Sequence, residues 1–118
     1  MARDAAIIST WGRTARGRET KAVEVFGDLM TFWAKKAADG KCEEPEAFFA
    51  TDGSHGVFLV KGKLDELQEI WNSEENEILV DKGQLIAEDL RTDFYVTGED
   101  ISVSLSRYMQ AIGELGLS

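Results

Sequence analysis

The stretch PEAFFATDGSHGVFLVKG, Pro45 to Gly62, holds two short apolar runs on either side of a turn. PEAFFAT and GVFLVKG are rich in aromatic and β-branched residues, which favour pleated strands. Between them DGSH carries Asp52-Gly53, a dipeptide that bends the chain cheaply because glycine tolerates a positive φ. The spacing predicts a β-hairpin, with Pro45 at the strand entry where a missing N–H is tolerated.

Working outward, AAIISTWG (Ala5 to Gly12) reads as a strand that stops at Gly12. The polar loop RTARGRE follows. From Thr20 apolar residues recur three or four apart: Val23, Phe26, Gly27, Met30, Trp33, Ala34 and Ala37. That is a helical period, ended near Gly40. On the other side of the hairpin a second helix starts near Lys63, with Leu64, Leu67 and Trp71 inward and Ile70 flanking. Ser73 followed by Glu74 and Glu75 predicts a new N-cap and a third, short helix with Ile78, Leu79, Leu85, Ile86 and Leu90 inward. Gly83 weakens that helix. RTDFYVTG (Arg91 to Gly98) is a fourth strand. A terminal helix follows, with Ile101, Leu105, Tyr108, Met109 and Ile112 on one stripe.

The order β-α-β-β-α-β plus a helix predicts an α+β, ferredoxin-like domain spanning residues 1–118, its four-stranded antiparallel sheet covered by helices on one face. Strand three is apolar at both parities: Phe58 and Val60 alternate with Val57 and Leu59. A sheet apolar on both faces needs cover on both. A second copy packed sheet to sheet would supply it, so a homodimer is expected. The amphipathic terminal helix is a rival cover, on its own sheet or across the partner.

Strand one ending at Trp11, the helix with Phe26 and Trp33, the DGSHGVFLVKG hairpin and the LDELQEIW helix together resemble the dimeric α/β-barrel superfamily. The resemblance covers roughly residues 5–98. That group includes cofactor-free antibiotic-biosynthesis monooxygenases, small isomerases, stress-responsive barrel proteins and YCII-related proteins, and many members of unknown function. The resemblance implies a dimeric α/β barrel; it does not transmit one activity.

Composition narrows the partners. The net charge is −9, and residues 62–118 supply all of it. An acidic surface repels phosphate backbones and anionic lipid, so neither nucleic acid nor membrane is an expected partner. Cys42 is the only cysteine, which excludes an internal disulfide and a zinc site built on cysteine pairs. The N-terminus lacks the pattern of a signal peptide, and no stretch is long enough to span a bilayer; a cytoplasmic protein is expected.

Three groups could carry chemistry. His55, the only histidine, is the natural proton-transfer candidate, with Asp52 the nearest carboxylate to orient it. YCII-related proteins pair a histidine with an aspartate, but no shared local motif ties His55 to that histidine. A solvated turn residue is the competing reading. Arg13, Arg16 and Arg18, with Lys21, crowd the entrance to the first helix, where free N–H groups favour an anion. Ordinary surface ion pairing competes there. Finally, Trp11, Trp33, Phe48, Phe58, Trp71 and Tyr95 could line an apolar cavity for a small organic ligand, with Arg91, Asp93 and Tyr95 as its polar groups. Trp33 and Trp71 lie on helix stripes and read as core. SEENE (Ser73 to Glu77) fits a helix dipole better than a metal, and no metal or cofactor is expected. Cys42 reads as a bystander.

These features support three functions: a barrel holding a small organic molecule between sheet and helices, a cofactor-independent oxygenase or isomerase, or an oligomerisation module without a ligand.

Overall fold

In a computed structural model, residues 3–117 are described. The hairpin forms as expected. Strand β2 is Glu46–Phe49 and β3 is Gly56–Lys63, paired antiparallel from Glu46↔Leu59 to Phe49↔Gly56. The loop closes where the Ala50 N–H donates to the His55 carbonyl at 2.9 Å, with Gly53 at φ +74° making the bend. Strand β1 (Asp4–Trp11) lies between β3 and β4 (Arg91–Val96), giving the order β2-β3-β1-β4. Every pairing is antiparallel. This is the ferredoxin-like arrangement, with the second crossover helix divided in two.

Helix α1 is Glu19–Ala38, α2 Leu64–Trp71 and α3 Glu74–Ile86. The division has a local cause. Asn72 ends α2, and the Ser73 side chain accepts from the Asn76 N–H to start α3. Helix α2 follows β3 with no loop and packs directly on β1 and β3, whereas α3 packs mainly on α1. α3 runs 13 residues, through Gly83, and ends at Ile86, so Leu90 lies beyond it in the connection to β4.

One face of the sheet carries Ala5, Ile7, Ser9 and Trp11 of β1 opposite Gly62, Val60, Phe58 and Gly56 of β3. The core forms there. Ile7, Trp33, Phe58, Val60 and Leu67 are fully buried, with Phe32 and Ile70 beside them. The buried side of α1 is rotated from the expected stripe: Phe32 is inside, while Val23, Gly27 and Ala34 face out. On α3, Ile78 and Leu85 are likewise exposed, and Leu79 and Ile86 turn inward.

The opposite face has no helix of its own chain over its centre. Ile8, Val57 and Leu59 are half-buried on it, and Phe48 and Tyr95 are exposed. Helix α4 (Asp100–Leu115) has no buried residue and meets the rest of the chain mainly at β4. Its first turn is fixed, since the Asp4 N–H donates to Asp100 Oδ2 at 2.7 Å. Gly116, at φ +67°, caps its end. No helix among the described residues is long and apolar enough to cross a membrane.

Candidate functional site

Because α3 leans on α1 and not on the sheet, a hollow of about 510 Å³ opens between them. Its floor is the Trp11 end of the sheet: Ser9, Trp11, Phe58, Phe49 and Thr92. Its walls are α1, from Glu19 to Leu29, the end of α2 at Trp71, and α3 from Leu79 to Ile86. The surface is largely apolar, and one ionisable residue, Glu19, lies on it.

Trp11 owes its place to a glycine. It sits directly opposite Gly56 in the ladder, and a Cβ on Gly56 would fall 2.5 Å from the indole Cζ2. Only a bare backbone lets the ring lie across β3. From there Trp11 meets Phe26 at 6.2 Å and Phe49 at 6.1 Å between ring centres, and Phe26 meets Phe49 at 5.0 Å. These three rings from two strands and a helix form one side of the hollow, in the tilted geometries that aromatic quadrupoles favour. On the floor, the Ser9 and Thr92 hydroxyls bond to each other at 2.7 Å. Each satisfies the other and retains a lone pair that a ligand could address.

The rim is stitched by main chain. Loop residues Gly12 and Ala15 donate to the Glu88 and Ile86 carbonyls, both at 2.7 Å, and Glu88 donates back to Arg13. The arginine loop is thus a short extended segment running beside the α3–β4 connection. The Arg18 guanidinium donates to the Leu85 carbonyl near the end of α3, the end where a cation is favoured. Arg13 and Arg16 are exposed.

His55 stands exposed on the hairpin loop, its Nδ1 2.8 Å from Ser54 Oγ, and is not among the residues lining the hollow. Asp52 is turned to Ser54, whose N–H donates to Oδ1 at 2.9 Å; bonding from Ser54 holds this carboxyl below the ordinary carboxylate value. Arg91, Asp93 and Tyr95 do share one side of β4, but it is the helix-free face of the sheet; Arg91 Nε bonds Asp93 Oδ2 there at 3.2 Å. Of the residues singled out in the sequence, the structure brings Trp11, Phe58 and Trp71 together around the hollow. Trp33 is core, and Phe48 and Tyr95 point to the open face. Sequence reasoning passed over Ser9, Thr92, Phe26, Phe49 and Glu19. Ser9 and Thr92 carried a usable signal, as hydroxyls interrupting the inward parity of two neighbouring strands. Among the described residues no cluster of histidine, cysteine and carboxylates is arranged to hold a metal.

Solved structures of the same architecture include a conserved Bacteroides thetaiotaomicron protein of unknown function described as a possible oxidoreductase. It has a TM-score of 0.66 and 14% identity, over 81% of this chain and 100% of that one. SnoaB from Streptomyces nogalater, a cofactor-independent oxygenase, has a TM-score of 0.66 at 9% identity, over 83% and 96%. A candidate antibiotic-biosynthesis monooxygenase from Caulobacter crescentus has a TM-score of 0.65 at 14% identity, over 83% and 92%. This chain shares the ferredoxin-like α+β fold of these proteins. No protein-family model and no curated protein matches it in sequence. At these identities the shared property is the fold.

Proposed function

We propose that this protein is a cytoplasmic homodimeric barrel that binds a small organic molecule in the hollow between its sheet and helices α1 and α3. The observation that carries this reading is the hollow itself. About 510 Å³ is a volume suited to a small organic ligand, and a mostly apolar wall with a few placed hydroxyls is what such sites use. Trp11 would stack on the ligand and the Ser9–Thr92 pair would orient it. Arg91, Asp93 and Tyr95, on the other face, would then meet the second copy and not the ligand.

The test is a titration with N-phenyl-1-naphthylamine, an uncharged aromatic probe, followed by quenching of tryptophan emission. Saturable binding at one site per chain is expected, weakened at least tenfold by Ala22→Trp, which fills the hollow from α1. Absence of saturable binding, or equal binding by Ala22→Trp, overturns the reading and leaves the oligomerisation module.

A second reading, a cofactor-independent oxygenase or isomerase, draws support from the fold shared with SnoaB, itself described as a cofactor-independent oxygenase. In that case the hydroxyl pair and Glu19 are the polar groups at hand, and His55 would have to act from outside the hollow. Glu19→Gln and His55→Gln discriminate the two: loss of turnover in His55→Gln alone would restore the histidine as the base.

A further inference from the structure

Along helix α4 the apolar residues Ile101, Leu105, Tyr108, Ile112 and Leu115 fall four, three, four and three apart. That is a 3.5-residue repeat, kept over the whole helix. Ile112 is half-buried, and the other four are 46–70% exposed. A helix that lies on a sheet or a globular core presents a broader face of period 3.6. A 3.5 repeat makes a narrow seam, and such a seam is matched by a second helix of the same repeat winding against it. The far side of α4 is already engaged with itself. Asp100, Arg107 and Glu114 fall seven apart on one line there, and Gln110 Nε2 donates to Glu114 Oε1 at 3.2 Å.

What flanks the seam identifies the partner. Ser102, Ser104, Met109 and Ala111 stand beside it, and none is charged. Charges at these flanking positions are what select a different chain in coiled coils, so nothing here selects against an identical helix. Each copy carries a net charge of −9, and two copies repel over most of their surfaces. An uncharged seam lets them meet without opposing like charges, and the serine and alanine flanks let the helices come close. The helix is also free to be reached, since it meets its own chain mainly at β4 and the molecule is drawn out to 53 × 33 × 26 Å. From Ile101 to Leu115 the seam is about 21 Å long. One pair of helices this short is marginal alone. Two pairs between the same two dimers reinforce each other, because the second closes within an assembly that the first has formed. Resting on the homodimer reading above, we infer that α4 couples dimers: its Ile101–Leu105–Tyr108–Ile112–Leu115 seam pairs with the same seam on a copy from another dimer, as a short two-helix coiled coil. Two distinct two-fold contacts, one through the sheets and one through α4, close a tetramer.

The experiment uses the full chain in sedimentation equilibrium. The wild type is expected to be a tetramer that dissociates to dimers on dilution. Leu105→Gln/Ile112→Gln, which keeps good helix formers in place, should raise the tetramer–dimer dissociation constant at least tenfold. Arg107→Ala/Gln110→Ala on the far side should leave it within about twofold. A second measurement does not depend on the seam variant keeping its helix. In a Cys42→Ala background under a glutathione redox buffer, Tyr108→Cys alone, or Leu105→Cys mixed with Tyr108→Cys, should link two chains through a disulfide, and Gln110→Cys should not. The two layouts cover parallel and antiparallel helices. Equal linking by Gln110→Cys, or none by either seam layout, overturns the pairing. A wild-type dimer indifferent to the seam variant overturns the coupling and leaves the homodimer. A wild-type dimer that the seam variant turns into monomers shows α4 holding the copies of one dimer, and overturns the coupling together with the homodimer reading. A wild type that stays monomeric up to millimolar concentration also overturns both.

Discussion

At the Ile7 end of β1, Trp33 and Leu67 press on Ile7 and Val60 until nothing is exposed; at the Trp11 end of the same strand, Ser9 and Trp11 face a hollow of about 510 Å³. The two ends use similar residue types on the same sheet and beneath the same helix α1. What differs is the path of the second crossover. Helix α2 begins at the residue after β3 and is held against the sheet, with Leu67 and Ile70 buried. After Asn72 and Ser73 the chain turns, and α3 settles on α1. A two-residue break between helices converts a filled layer into a filled half and a hollow half. Side-chain size does not make the cavity; helix direction does.

Breaking the filled half should cost most. Trp33→Ala leaves a large void among Phe32, Phe58 and Leu67, and should lose about 3–5 kcal/mol in urea unfolding. A loss under about 1 kcal/mol would mean that this end is not the tighter one. Gly56→Ala attacks the hollow half at its floor by displacing Trp11. It should cost roughly 1–3 kcal/mol and flatten the near-UV tryptophan signal; an unchanged near-UV spectrum would show that Trp11 does not lie on Gly56. Ser9→Ala leaves the Thr92 hydroxyl without its partner and should cost about 1 kcal/mol, with a larger effect on probe binding than on stability.

The smallest effect is read by rate. Cys42 packs under the filled half, where burial first, then Glu66 and Glu43, push its thiol above the ordinary value. The folded state therefore favours the protonated form. Its contribution to stability is present below the unfolded thiol value of about 8.5 and fades as pH rises through the higher folded one. Iodoacetamide at pH 8 should label folded protein several-fold more slowly than urea-unfolded protein, and equal rates would contradict a closed end.

Much of this was legible in the residues. The DGSH turn between two apolar runs announced the hairpin, and the hairpin with its flanking helices implied the sheet order. The parity of β4 was legible too, since Arg91, Asp93 and Tyr95 do share a side. Which side met the helices was not legible, because both parities carry an aromatic ring; it is settled by Phe94 meeting Trp71 at 6.0 Å. The misjudged stripe on α1 has a related cause. Val23 has the right spacing, but it lies where the helix overhangs the hollow and so stays exposed. Periodicity reports the direction in which a side chain points, and says nothing about whether anything waits there. The hollow was therefore foreshadowed in the sequence only by part of its aromatic lining, Trp11, Phe58 and Trp71, and by the two hydroxyls on its floor.

Asp4 gathers three separate segments. Its N–H reaches Asp100 at 2.7 Å, its carbonyl takes the Thr97 N–H at 2.9 Å, and its carboxylate holds Lys63, raising that ammonium's affinity for its proton. Tension applied to the C-terminal helix would therefore be delivered to the central strand β1 as well as to the edge strand β4. A molecule pulled by its tail should resist as a sheet sheared along its middle, and should not unzip strand by strand from its border.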